Sequence, residues 1–224
     1  MIKESVIAID GPSGSGKSTV AKIVAQDLDF LYIDTGSMFR AIAYGLIQNN
    51  VDLNIENDVS GALESIHLDY YGESNKLIAV NGIDVTNAIR EHHISDAASK
   101  VSRFECIREK LKNFQRSLAK SHTCVLEGRD IGTVVFPNAK LKIFLTASST
   151  ERAKRRFEDL KNRNILNELT YEKILEDIEI RDKRDSSRDI APLIAADDAK
   201  LISSDNLNID EVVAKVKTLA NKVF

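Results

Sequence analysis

The chain has 224 residues, 43% hydrophobic and 29% charged, a balance that fits a folded globular protein and excludes wholesale disorder. Its net charge of -3 excludes a global basic field for nucleic acid, so any site for a polyanion must be a local cluster. Two unclustered cysteines, Cys106 and Cys124, suit a reducing compartment, and together with His67, His92, His93 and His122 they lack the spacing of a structural metal site.

The apolar run Val6-Ile7-Ala8-Ile9 stops at Asp10, too soon for a signal peptide, and no stretch reaches the length of a membrane span. The expected setting is therefore cytoplasmic, with no membrane and no nucleic acid as partner. Residues 5–10 read as a buried strand, and a glycine-rich turn over 11–16 follows directly. Val20, Ile23, Val24 and Leu28 then recur at helical spacing over 17–28. Leu31-Tyr32-Ile33 predicts a second strand, and residues 37–48 a helix after Asp34-Thr35-Gly36.

The texture changes at 65–86. Ile66-His67-Leu68-Asp69-Tyr70 and Lys76-Leu77-Ile78-Ala79-Val80 flank Gly72-Glu73-Ser74-Asn75, and Asn81-Gly82 marks another tight turn. These predict an inserted element of short antiparallel strands. Helix resumes near Ala88 and runs to about Lys120. Buried-strand character returns at 123–126 and 141–145, a densely charged stretch over 149–188 predicts two helical pieces, and a strand at 200–203 precedes an amphipathic helix carrying Val212, Val213, Val216 and Leu219. Strands alternating with helices indicate an α/β fold with a mainly parallel sheet flanked by helices.

Gly11, Pro12, Ser13, Gly14, Ser15, Gly16, Lys17, Ser18 and Thr19 form a P-loop between a predicted strand and a predicted helix. Its glycines let successive backbone N–H groups face phosphate, and the helix dipole adds to that field. Lys17 is placed for the β- and γ-phosphates, and the Ser18 hydroxyl for Mg²⁺. The loop implies ATP as the ligand without naming an acceptor. The Asn-Lys-x-Asp motif of GTPases is absent, and helicases and ABC-type ATPases need more chain, which leaves the kinases.

A phosphate acceptor calls for guanidinium forks. Arg40 opens the helix after Asp34, Arg129 and Asp130 follow a strand at the carboxyl edge of the sheet, and Arg108 lies in the middle helical region. Arg181, Arg184 and Arg188 recur with Asp185 between them, on one face if the helix persists that far, as a cover that spreads charge off the γ-phosphate. Arg152, Arg155 and Arg156 are the alternative cover. A phosphate acceptor needs no general base, since its second pKa is about 6. An alcohol acceptor would need one, with Asp34 and Asp130 as candidates.

Beyond the P-loop, YIDTGSMFRA (32–41), AASKVSRFECIREKL (97–111), EGRDIGTVVFPNAKLKIFLTAS (127–148), ERAKRR (151–156) and RDKRDSSRDIAPL (181–193) occur in an order that resembles the bacterial-type cytidylate kinases. The resemblance runs from Val6 to the last helix and is most specific in GRDIGTVVFPNA. It implies a P-loop kinase core of about 1–36, 115–150 and 190–224, a β-rich monophosphate-binding region of about 37–114, and a helical lid of about 151–189. It further implies Mg²⁺-dependent transfer from ATP to CMP or dCMP. Ser99, Arg108 and Asp130 would contact the cytosine ring, and Thr35, Arg40 and Arg129 the acceptor phosphate region. Arg181, Asp185 and Arg188 would close over sugar and phosphate. The expected catalytic set is Lys17, Arg129, Asp130, Arg181 and Arg188, in a monomer.

Two residues depart from the family pattern. Phe39 stands where tyrosine is common, which leaves ring packing without a phenolic hydrogen bond. Glu127 replaces the usual aspartate and moves its charge by about 1.5 Å, one C–C bond. The alternatives are a kinase for another monophosphate, or a module that uses ATP as a conformational switch.

Overall fold

The computed structural model describes residues 4–72, 77–162, 166 and 169–224, apart from the His92 side chain. In chain order the elements begin with β1 (Glu4–Asp10), α1 (Lys17–Asp27), β2 (Leu31–Asp34), α2 (Thr35–Gln48), α3 (Glu56–Leu63), β3 (Leu68–Tyr70), β4 (Ile78–Val80) and β5 (Ile83–Asp84). They continue with α4 (His92–Val101), α5 (Glu105–Ala119), β6 (Cys124–Gly128), β7 (Ala139–Thr146), α6 (Ser149–Asn162), α7 (Tyr171–Ser186), β8 (Lys200–Ser203) and α8 (Ile209–Ala220). The chain divides into two compact units, one of Met1–Tyr32 with His122–Phe224 and the other of Ile33–Ser121.

The larger unit is organised around β1. Its Val6, Ile7, Ala8 and Ile9 are all buried, so the strand suits the centre of a sheet covered on both faces. β1 pairs in parallel with β6 and with β7, placing Ile7 opposite Val125 on one side and Leu141 on the other, and β7 pairs in parallel with β8. The sheet order is β2-β6-β1-β7-β8, and the chain passes into the second unit within β2. Ile7 and Ile9 share a core with Val20 and Val24 of α1, Ile143 and Leu145 of β7, and Val212 and Val216 of α8. The amphipathic spacing read in the sequence of α1 and α8 thus becomes a helical layer on one sheet face. Packed as a pair, α6 and α7 bury Ala153, Leu160, Ile174 and Ile178.

In the smaller unit α2 is the hub, burying Met38, Ala41, Ile42 and Leu46. It packs with α3, α4, α5 and β4. A Cβ on Gly45 would stand 3.1 Å from Ile66, so the glycine lets the segment before β3 come close. The inserted element is the antiparallel sheet β3-β4-β5, with Leu68 opposite Val80 and Val80 opposite Ile83.

Three details differ from the sequence reading. α2 starts at Thr35 rather than at 37, because the Asp34 carboxylate accepts the Ser37 N–H at 2.8 Å and caps the helix there. α3 was not expected: only Val59 and Leu63 are buried, too sparse an apolar stripe to stand out. The helical region after Ala88 is divided into a 3₁₀ turn (Ala88–Arg90), α4 and α5. The turn expected at Glu73, Ser74 and Asn75, with Lys76 beside it, lies outside the described residues. So do 163–165 and 167–168 of the expected lid.

Candidate active site

The P-loop runs from the end of β1 into α1. Gly11 has φ 150°, and a Cβ there would fall 2.0 Å from the Leu145 carbonyl oxygen, a clash that no rotamer can relieve. Gly16, with φ 89°, occupies the N-cap of α1 and offers no side-chain cap, so the first-turn N–H groups remain for a ligand. Behind the loop, Arg152 Nη1 donates to the Ser13 carbonyl at 3.0 Å and Ser204 Oγ to the Ser15 carbonyl at 3.2 Å. Arg152 also donates to the Ala147 carbonyl and is paired with Asp182 through both terminal nitrogens. Arg155 holds Ser204 through its carbonyl and hydroxyl. Arg152 and Arg155 are therefore struts of the loop, a different duty from the cover that the sequence left open to them. Arg156 is partly exposed, 3.7 Å from Asp159.

Lys17 is 4% exposed, and its Nζ donates to the Pro12 carbonyl at 2.6 Å. Burial, then the positive field of Arg129, pulls its pKa down to about 7, with Arg181 adding to the fall while Glu127 and Asp10 oppose it. Lys17, Arg129 and Arg181 thus share one electrostatic neighbourhood, as phosphoryl transfer requires. The exposed Ser18 donates through Oγ to Glu127 Oε1 at 2.5 Å, and the Tyr32 hydroxyl reaches the same oxygen at 3.4 Å. A hydroxyl beside a carboxylate at the loop's helix end is a hard oxygen pair. Among the described residues no group of His, Cys, Asp and Glu could by itself hold a metal ion. Such a pair fits Mg²⁺ that takes its remaining ligands from phosphate and water, and does not fit a closed protein cage.

On the same unit, Asp185 is 1% exposed and gathers three arginines. Arg129 Nε donates to it at 3.1 Å, Arg188 is paired with it, and Arg181 Nε stands 4.0 Å away. Burial pushes the Asp185 carboxyl up, but Arg129, Arg188 and Arg181 outweigh that and hold it below the usual range. α7 ends at Ser186, so Arg188 meets Asp185 from the turn beyond the helix and not from the helical face that the spacing predicts.

Asp130 opens a π turn (Ile131–Val135) and is 6% exposed. The sequence reading overlooked the group beneath that turn. Asp10, which closes β1, accepts the Ile131 N–H at 2.8 Å and the Gly132 N–H at 2.7 Å. Burial lifts its pKa to about 7 against those two bonds, with Asp130 raising it further and Lys17 lowering it. A charged residue ending an otherwise apolar strand was the one signal available.

In the smaller unit, Asp34 caps α2 with one oxygen and holds Arg40 Nη2 at 3.2 Å with the other. That occupies it as a positioning group for Arg40. Thr35, at the start of α2, is buried at 3% exposure. Arg108, 7% exposed, donates to the Ser102 carbonyl at 2.8 Å with its guanidinium 5.6 Å from the Phe39 ring centre. Ser102 donates in turn to the Ser99 carbonyl, so Ser99, Ser102 and Arg108 form one chain of contacts. Phe39 keeps the stacking surface where a phenol is common, within cation–π range.

The family model described as cytidylate kinase matches residues 7–222. The chain is 42% identical to the cytidylate kinase of Fusobacterium nucleatum subsp. nucleatum, covering 97% of this chain and 98% of that protein. It is 46% identical to the cytidylate kinase of Bacillus licheniformis, covering 99% and 98%. It is also 47% identical to the bifunctional pantoate ligase/cytidylate kinase of Prochlorococcus marinus, covering 99% of this chain and 44% of that longer protein. Among solved structures, the shikimate kinase from Bacteroides thetaiotaomicron superposes with a TM-score of 0.50 at 14% identity over 96% of this chain and 98% of that one. That likeness concerns the fold alone.

Proposed function

The chain belongs to the cytidylate kinase family, and we propose that its own residues perform transfer of the ATP γ-phosphoryl group to CMP or dCMP, giving CDP or dCDP and ADP. The observation that supports the residue assignment is the cluster in which the buried Asp185 holds Arg129, Arg188 and Arg181, with Lys17 feeling the field of Arg129 and Arg181.

Gly11 to Thr19 wrap the triphosphate of ATP with backbone N–H groups, and Lys17 turns from the Pro12 carbonyl to the β- and γ-oxygens. Mg²⁺, when bound, neutralises charge on those phosphates, and Ser18 with Glu127 would hold it. The residues assigned to the acceptor phosphate are Thr35 and Arg40 of the smaller unit, where Asp34 holds Arg40, and Arg129 of the larger, held by Asp185. Ser99, Arg108 and Asp130 read the cytosine ring by hydrogen bonding. Asp185 is steadied by three cations, and in this reading it closes over sugar and phosphate together with Arg181 and Arg188. The acceptor oxygen is already anionic near neutral pH, so catalysis rests on alignment and charge, and no side chain serves as base. In this reading residues 37–114 bind the monophosphate and 151–189 act as a lid, in a cytoplasmic monomer with no nucleic-acid partner. Both cysteines are free, which fits a reducing compartment.

The test is ADP release from ATP and Mg²⁺ with CMP, dCMP, UMP and AMP in parallel. Cytidylates should be the preferred acceptors; turnover of AMP equal to or above that of CMP refutes the assignment, and release of ADP and inorganic phosphate without CDP or dCDP points to a nucleotide switch.

A further inference from the structure

The π turn after Asp130 has an unusual source for its N-terminal cap. Within the turn, the Asp130 carbonyl accepts the Val134 and Val135 N–H groups and the Ile131 carbonyl accepts that of Phe136. The first N–H groups of such a turn have no partner inside it, as at any helix start. Asp130 makes no side-chain cap to them. Asp10 supplies the cap from the neighbouring strand, one oxygen to each of Ile131 and Gly132, at 2.8 and 2.7 Å. The two strands are in register there, with Asp10 opposite Gly128.

The Lys142 stem packs over the same turn, 3.1 Å from where a Cβ on Gly132 would stand, and Asp10 Oδ2 lies in ordinary contact with that point at 3.4 Å. Asp10 is 5% exposed, and a buried carboxylate is costly to keep unless its bonds serve a purpose. A merely apolar contact at the same place would leave two buried N–H groups unpaired.

We propose that Asp10 is a positioning residue for acceptor recognition, fixing the backbone of the turn that directly follows Arg129 and Asp130 and so setting both affinity for the monophosphate and choice of its base. The proposal rests on the assignment of Asp130 to the cytosine ring. It separates the duties of two adjacent carboxylates: one shapes the turn, and the other reads the ligand. The P-loop begins one residue after Asp10, yet the Asp10 side chain bonds to the acceptor-side turn. Asp10 acts on the donor side through its field on Lys17 and not through a bond, so donor binding should change far less than acceptor binding.

Asp10→Asn tests this with an isosteric side chain. The amide accepts one N–H and turns its own NH₂ toward the other, so the turn loses one bond and meets a donor–donor contact. The expected result is a rise of about tenfold in the CMP KM and in its calorimetric Kd, the loss of roughly one net hydrogen bond, with the ATP KM changed by less than about twofold. The preference for CMP over UMP should narrow as well. An equal fall in kcat for all substrates with both KM values unchanged would mean that Asp10 only supports folding, and equal rises for ATP and CMP would mean that it serves the donor loop; either overturns the proposal, as does wild-type behaviour. If Asp10→Asn does not fold, Asp10→Ser, whose shorter side chain cannot accept both the Ile131 and Gly132 N–H groups at these distances, must give the same selective CMP defect. Turnover of CMP by the unaltered protein, measured in the same series, separates failure of this proposal from failure of the family reading.

Discussion

Arg152 connects the P-loop, the end of β7 and α7 through one side chain, so its removal is the sharpest test of how the donor site is built. Its side chain is 4% exposed, and the guanidinium bonds to the Ser13 and Ala147 carbonyls, while Asp182 takes both terminal nitrogens. Breaking a buried ion pair by deleting one partner costs about 3–5 kcal/mol. Asp182 is 26% exposed and can recover water, which argues for the lower end, about 3 kcal/mol for Arg152→Ala. In thermal unfolding that corresponds to a fall of roughly 6–12 °C for a chain of this size. Arg152→Lys retains the charge but only one direction of bonding at a time, and should recover less than half of the loss. The assay is urea unfolding of Arg152→Ala, Asp182→Asn and the double variant without nucleotide, followed by ATP binding. The two single losses should overlap by more than about 1 kcal/mol in the double variant, since both remove one pair. ATP affinity should fall with Arg152→Ala more than with Asp182→Asn, because only Arg152 touches the loop. A loss below about 1 kcal/mol for Arg152→Ala, in the range of a surface pair, would refute the strut.

Proton linkage offers two further tests. Lys17, drawn down to about 7 by burial and by Arg129, is largely neutral in the free protein above that pH, and the phosphates of ATP should restore its charge. Calorimetry at about pH 8 in buffers of different ionisation heat should therefore show uptake of nearly one proton per ATP, weakening affinity as pH rises, and Lys17→Arg should show none. Uptake that persists in Lys17→Arg would assign the proton to another group. Asp185 titrates in the opposite sense: its folded pKa lies below the unfolded value of 3.8, so its contribution is complete above that value and is lost as pH falls through the depressed one. Acid unfolding of Asp185→Asn should accordingly show a shallower loss of stability below about pH 4 than the unaltered protein, and identical acid limbs would contradict the three-arginine clasp.

The legible parts of the fold were those where one physical signal dominates. Gly11 to Ser18 are fixed by backbone geometry that side chains obstruct, and β1 by four consecutive apolar residues; both appear where the sequence puts them. α1 and α8 follow from their apolar stripes. By contrast, α3 buries two side chains, and the start of α2 depends on which way Asp34 turns. The arginines show the same limit. Spacing marks Arg152, Arg155, Arg181 and Arg188 as one basic segment, but their duties diverge with their partners: Ser13 and Asp182 for Arg152, Ser204 for Arg155, Asp185 for the other two. The role of Asp10 is not legible beyond a charge that ends an apolar strand, because its two acceptors serve backbone groups more than a hundred residues away, a pairing created by the register of β1 on β6. Glu127 was noticed as a departure in length, and its contact with Ser18 at 2.5 Å keeps the hydroxyl and the carboxylate together despite the added methylene.

The central claim is that the P-loop delivers phosphate to a cytidylate chosen by the turn at Asp130. Its most direct measurement is the ratio of kcat/KM for CMP to that for UMP, in the unaltered protein and in Asp130→Ala. A site that hydrogen-bonds the base should prefer CMP strongly, and removing the carboxylate should collapse the ratio by about tenfold or more, mainly through the CMP KM. An unchanged ratio in Asp130→Ala, with turnover retained, would contradict the account.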